Sequence, residues 1–174
     1  EREVNRVGVC WVATMQAIRQ AVQQDIHFII SHENPFYQAS TAPKRLIRES
    51  TERKQALLEQ GDITLYRSHD LWDKMPVYGV ADQWAARLGF TFQREVNSYL
   101  QFAEVPPMTV EALARRVAKA LGQDGENGLW VSGDLSRTVR HVSMGTGAAT
   151  DIFAMLRRPT DVVIVSDDGI TNYC

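Results

Sequence analysis

Three short apolar runs, Val7 to Ala13, Ile26 to Ile30 and Asp62 to Tyr66, alternate with three segments whose apolar residues recur at helical spacing. Met15, Ile18, Ala21 and Val22 make the first helical stripe. Leu46, Ile47, Leu57 and Leu58 make the second amid many charges, and Val80, Ala81, Trp84, Ala85 and Leu88 make the third. Short runs of this kind read as buried strands and the stripes as amphipathic helices. The order β, α, β, α, β, α therefore predicts an α/β layer with helices packed on a sheet. Helices are expected over Thr14 to Gln24, Arg45 to Gln60 and Tyr78 to Leu88, the last two stopped by Gly61 and Gly89 as C-caps.

The second half is less regular. Phe90 to Phe102 reads as a strand pair and Pro106-Pro107 as a break. Thr109 is the expected N-cap of a helix whose stripe is Val110, Leu113, Val117, Ala120 and Leu121, with Gly122 at its end. Ala112 at the third helical position means that no capping box forms. Leu129 to Ser132 and Val139 to Met144 are expected strands, Asp151 to Leu156 a short helix, and Val162 to Val165 a last strand running into Ser166-Asp167-Asp168-Gly169. No repeat or low-complexity tract interrupts the chain.

At 174 residues and 44% hydrophobic content the chain can bury a core without disulfide or metal staples. Its net charge of -2 and 19 scattered basic residues lack the basic stripe of a dedicated nucleic-acid binder. Cys10 and Cys174 stand at opposite ends and form no CxxC pair, which argues for a reducing compartment. No apolar run approaches the roughly 18 to 20 residues that span a bilayer, and Glu1-Arg2-Glu3 does not open a signal peptide. A cytoplasmic protein without membrane or nucleic-acid partners is the expectation. The absence of an initiator Met and the stop at Tyr173-Cys174 suggest a domain incomplete at both ends.

Two polar clusters lie where two of the strands end. His32-Glu33 comes after the second strand, and His69-Asp70-Leu71-Trp72-Asp73 after the third. Sheets of this class collect ligands outside the carboxyl ends of their strands. Imidazole nitrogens beside carboxylate oxygens suit Zn, Fe or Mn better than Ca or Mg, which prefer all-oxygen shells. Taken singly, His32 could merely end a strand and Asp73 could cap the next helix; the pairing of two such clusters brings a metal site level with these plainer roles. His27 and His141 alternate with strand neighbours and read as packing residues. Gly145-Thr146-Gly147 lacks the lysine of a P-loop and the third glycine of a dinucleotide fingerprint, so it reads as a tight turn. Asp167-Asp168 could touch substrate or metal but is also ordinary turn chemistry.

The order of these motifs resembles the Ngg-one-interacting-factor-three-like family of dinuclear metal centre proteins, some of which carry the name GTP cyclohydrolase 1 type 2. Asp25 to Tyr37 is similar to the family's strand ending in a paired-histidine motif, with Glu33 where a second histidine is common. His69 to Asp73 matches its H-x-x-x-D motif and Gly79-Val80-Ala81-Asp82 its G-x-x-D helix. Val142 to Phe153 and Asp161 to Gly169 resemble its late strand, glycine turn and strand. The family's final H-x-x-x-E pair has no counterpart before Cys174, so the site is expected to be half complete.

The resemblance implies a single family domain over 1–174, built as two similar α/β lobes, about 1–89 and 90–174, with mixed sheets flanked by helices. It also implies a homo-oligomer, a hexamer, with two divalent ions per site. His32, Glu33, His69 and Asp73 are the implied ligands, and Glu33 serves as ligand or catalytic base. The implied activity is metal-dependent hydrolysis of a small molecule of unassigned, nucleotide-like class, since no guanine-specific pocket is visible. The alternative is a hexameric binding or regulatory scaffold in which the metals are structural.

Overall fold

The structure, a computed structural model, describes residues 3–36, 44–94, 98–123, 125–126, 128–147 and 151–166. They fall into two compact units that divide between Leu71 and Trp72. Two sheets flanked by helices make the chain an α/β protein.

The first unit contains β1 (Val7–Cys10), α1 (Met15–Gln23), β2 (Phe28–Ser31), α2 (Lys44–Gln60) and β3 (Thr64–Arg67). Its sheet is parallel throughout in the order β1-β2-β3, with Cys10 beside Ser31 and Ser31 beside Arg67. Ala13, Ile18, Ala21, Ile29 and Ile63 form the buried core, and Leu57 and Leu58 pack on it. Thr14 caps α1 by accepting the Ala17 amide at 3.1 Å, which satisfies one of the helix's orphan donors.

Both helices of this unit end in the same way. Asp25 (φ 55) and Asp62 (φ 48) take the left-handed conformation. The next amide then bonds back, Ile26 N to Ala21 O at 2.9 Å and Ile63 N to Leu58 O at 2.8 Å, which is the Schellman arrangement. The left-handed position after α2 thus falls to Asp62 and not to the expected Gly61. Gly61 keeps this turn close-packed, since a Cβ there would lie 2.8 Å from Val22 Cγ2 and 2.9 Å from Ile63 Cδ1 and would make those side chains shift. His27 joins the two turns, with Nδ1 2.9 Å from Gly61 O and Nε2 2.8 Å from Asp25 Oδ1.

The dividing line falls inside α3 (Asp70–Asp73), a single helical turn. Beyond it come α4 (Val80–Leu88), β4 (Gln93–Arg94), β5 (Leu100–Thr109), α5 (Val110–Gly122), β6 (Thr138–Gly145), α6 (Ile152–Met155) and β7 (Val162–Ile164). This sheet has the order β4-β5-β6-β7 and is mixed, antiparallel except where β7 runs parallel to β6. Leu88, Leu113, Val117, Val139, Val142 and Met144 form its core. Thr109 caps α5 through the Ala112 amide at 3.1 Å, and Gly89 closes α4 at φ 69, both as the sequence predicts.

Two further expectations need correction. Pro106 and Pro107 do not break the chain's extended course; β5 continues to Thr109, and its register with β6 shifts between Glu104 and Met108. The prolines are exposed at that irregularity, where a missing N–H donor costs no ladder bond. Residues 129–132 form no strand, and Trp130 is 87% exposed. Among the described residues no helix is long and apolar enough to cross a membrane.

Candidate metal centre

The parallel register decides where the polar clusters emerge. Because β2 ends at Ser31 and β3 at Arg67, His32 is one residue past its ladder and His69 two. Backbone bonds carry the order a little further, from Ser68 N to Ser31 O at 2.9 Å, His32 N to Cys10 O at 3.2 Å and Glu33 N to Trp11 O at 2.7 Å. Ser31, fully buried, braces these turns from within. Its Oγ accepts the Ala13 amide at 3.2 Å and donates to Glu33 O at 2.8 Å. The main chain on either side of His32 is thereby fixed before its side chain meets anything.

The His32 imidazole lies between two rings. The Trp11 indole stacks on it with centroids 3.9 Å apart and planes 15° apart, and the His69 ring is tilted against it at 4.4 Å. Glu33 Oε1 is 3.6 Å from His32 Nδ1 and 3.5 Å from His69 Nε2, while Asp70 Oδ1 is 3.4 Å from His69 Nδ1. Asp73, at the end of α3, is buried. One ligand atom each of His32, His69 and Asp73 lies within 4.8 Å of the other two, so the three form a group that could hold a metal ion. The donor set fits a transition metal. Two imidazole nitrogens and a carboxylate oxygen are the mixture that Zn, Fe and Mn take.

All four residues singled out in the sequence lie at these strand and helix ends, with Glu33 the most exposed of them. Two neighbours did not stand out there. Trp11 had a signal, an aromatic just beyond a strand end; Ser31 had none beyond its place before His32. Cys10 sits behind the site, and burial pushes its thiol above the usual range, against a smaller lowering by Ser31, which suits packing and not ligation. His27 is occupied at the ends of α1 and α2, and His141 Nδ1 faces Asp161 Oδ2 at 3.3 Å. Gly147 N donates to Ser166 Oγ at 3.2 Å, as a turn would. Asp167 and Asp168 lie outside the described residues.

Residues 1–171 match the Duf34/NIF3 (NGG1p interacting factor 3) family. The chain belongs to this family. Among solved structures it is similar to the protein ybgI, of unknown function, with a TM-score of 0.74 and 24% identity over 96% of this chain and 66% of that one. It is also similar to the Staphylococcus aureus protein SA1388 (TM-score 0.67, 17% identity, 96% and 69% covered). A third likeness is to a Bacillus cereus protein related to NIF3 (TM-score 0.70, 14% identity, 96% and 74% covered). The chain thus spans about two thirds of the length of the first two of these structures, and at these identities the likeness concerns the fold. No curated protein matches the chain in sequence.

Proposed function

We propose that this Duf34/NIF3 family chain binds divalent metal, Zn, Fe or Mn, two ions per site, and that the protein is a metal-dependent hydrolase of a small nucleotide-like substrate. The observation that carries this reading is the convergence of His32, His69 and Asp73 ligand atoms within 4.8 Å. A bound divalent ion would polarise a substrate oxygen and bring a water's pKa toward neutrality. His32, His69 and Asp73 would hold it. Glu33, half exposed and with Oε1 3.5 Å from His69 Nε2, would either complete the ligand set or take a proton. Trp11, 61% exposed while one face covers His32, offers its ring to a planar substrate group, since base-on-aromatic stacking tolerates any flat heterocycle. Hexameric assembly belongs to the same reading.

The test is elemental analysis of the full-length protein and of its Asp73→Ala variant, with circular dichroism and turnover on a panel of phosphate- and nucleotide-containing compounds. The parent should carry Zn, Fe or Mn and turn over a member of the panel. Asp73→Ala should lose both while keeping its secondary structure. Full metal retention in Asp73→Ala would place the ligand wrongly. Asp73-dependent metal without turnover would favour the scaffold.

A further inference from the structure

The turn after Asp73 is held by side chains of its own unit. Arg94 Nη2 donates to the carbonyl of Lys74, the residue next to Asp73, at 3.1 Å. The Val77 amide donates to Asp82 Oδ2 at 2.8 Å, and Gln83 Nε2 donates to Val77 O at 2.7 Å. Val77 stands at φ 71, a left-handed conformation that a β-branched residue rarely adopts. It is 64% exposed, so core packing does not impose the conformation. The capture of both its backbone polar groups does.

Asp82 and Arg94 are themselves fixed. Arg94 Nε is 3.1 Å from Asp82 Oδ1, and the buried Gln101 donates to the same oxygen at 3.0 Å. The turn has no slack at its far end either. A Cβ on Gly79 would run into the carbonyl oxygens of Asp73, Met75 and Trp72.

We propose that Asp82 and Arg94 are positioning residues for Asp73, clamping the 74–79 turn so that the carboxylate of Asp73 is held within reach of the His32 and His69 nitrogens. This rests on the reading of Asp73 as a ligand. A buried aspartate at the end of a four-residue helix has little intrinsic rigidity, because one turn supplies hardly any helical hydrogen bonds. The 74–79 turn follows Asp73 directly, and Asp82 and Arg94 hold it at Val77 and Lys74.

The experiment measures Zn2+ affinity by chelator competition on metal-stripped full-length protein, alongside circular dichroism and urea unfolding. Asp82→Asn should bind Zn2+ about 10- to 100-fold more weakly than the parent, the usual effect of removing a group that orients a ligand. Its secondary structure should be unchanged. Gln83→Met, which removes one exposed hydrogen bond, should show a smaller loss. Val77→Gly in the Asp82→Asn background should recover part of the affinity, since glycine occupies φ 71 without a clamp; a purely structural role for Asp82 predicts no such recovery. Parent-like affinity in Asp82→Asn, with binding lost in Asp73→Ala, overturns the clamp and leaves the metal site standing. Parent-like affinity in Asp73→Ala overturns both. If Asp82→Asn does not fold, Gln83→Met and Arg94→Lys decide, and unchanged affinity in both counts against the proposal.

Discussion

The indole of Trp11 lies almost flat on the imidazole of His32, 15° from parallel at 3.9 Å between centroids. This fixes the plane in which His32 can present a nitrogen. Trp11→Ala frees that plane at the cost of an aromatic pair worth about 0.5–1.5 kcal/mol. Zn2+ affinity should fall by no more than about tenfold, since 1.4 kcal/mol is a factor of ten. Trp11→Phe should retain most of it. Chelator competition measures both.

Ser31→Ala should act on the fold as well as the site. It leaves the Ala13 amide without its hydroxyl acceptor in a buried position, a loss of about 1–3 kcal/mol. Urea unfolding should show a lower midpoint at unchanged slope. An unchanged midpoint would mean that the brace is dispensable.

Gly79→Ala tests space and not backbone freedom, because Gly79 has an ordinary φ of -68. The added methyl meets backbone oxygens that cannot swing aside, and overpacking of this kind costs about 1–3 kcal/mol. The carbonyl of Asp73 is among them, so Zn2+ binding should weaken more than the melting temperature suggests. A variant with parent-like melting and parent-like Zn2+ affinity would contradict the tight packing of this turn.

Asp161 should give the second unit an acid-sensitive seam. The backbone amides of Arg140 and His141 donate to its Oδ2 at 2.8 and 2.9 Å. The Arg140 amide first, then that of His141, hold its carboxyl below the usual range. A depressed folded pKa contributes stability that is present above the unfolded value of about 3.9 and is lost as pH falls through the folded one. Urea midpoints should therefore drop on acidification below about pH 4 in the parent. Asp161→Asn should start lower at pH 7 and change less over that range.

The elements legible in the sequence are those with a strong period or an unambiguous stop. The α5 stripe from Val110 to Leu121 and the Thr109 cap are examples, as is Gly89 after α4. What was not legible depended on tertiary partners. Pro106-Pro107 reads as a break until the sheet irregularity that shelters it is known. Leu129 to Ser132 has strand composition, but the described residues give it no neighbouring strand to pair with, and Trp130 faces solvent. At the site, His32, Glu33, His69 and Asp73 stood out because imidazole and carboxylate are chemically conspicuous. Ser31 did not, and Asp82 stood out only as the end of a G-x-x-D motif without a role, since a serine or an aspartate shows its role only through the amides that it meets.

The equal ladder ends of β1, β2 and β3, with Cys10, Ser31 and Arg67 in one row, make the candidate centre a property of strand alignment more than of loop length. Deleting a single residue within β2 would turn its side chains to the opposite face of the sheet and carry His32 away from Trp11 and His69. The same deletion in a solvated connection away from these rows would leave the arrangement untouched. Natural and engineered length variation should accordingly gather in the connections and avoid the three short strands, as an error-prone library of insertions and deletions scored for zinc retention would reveal.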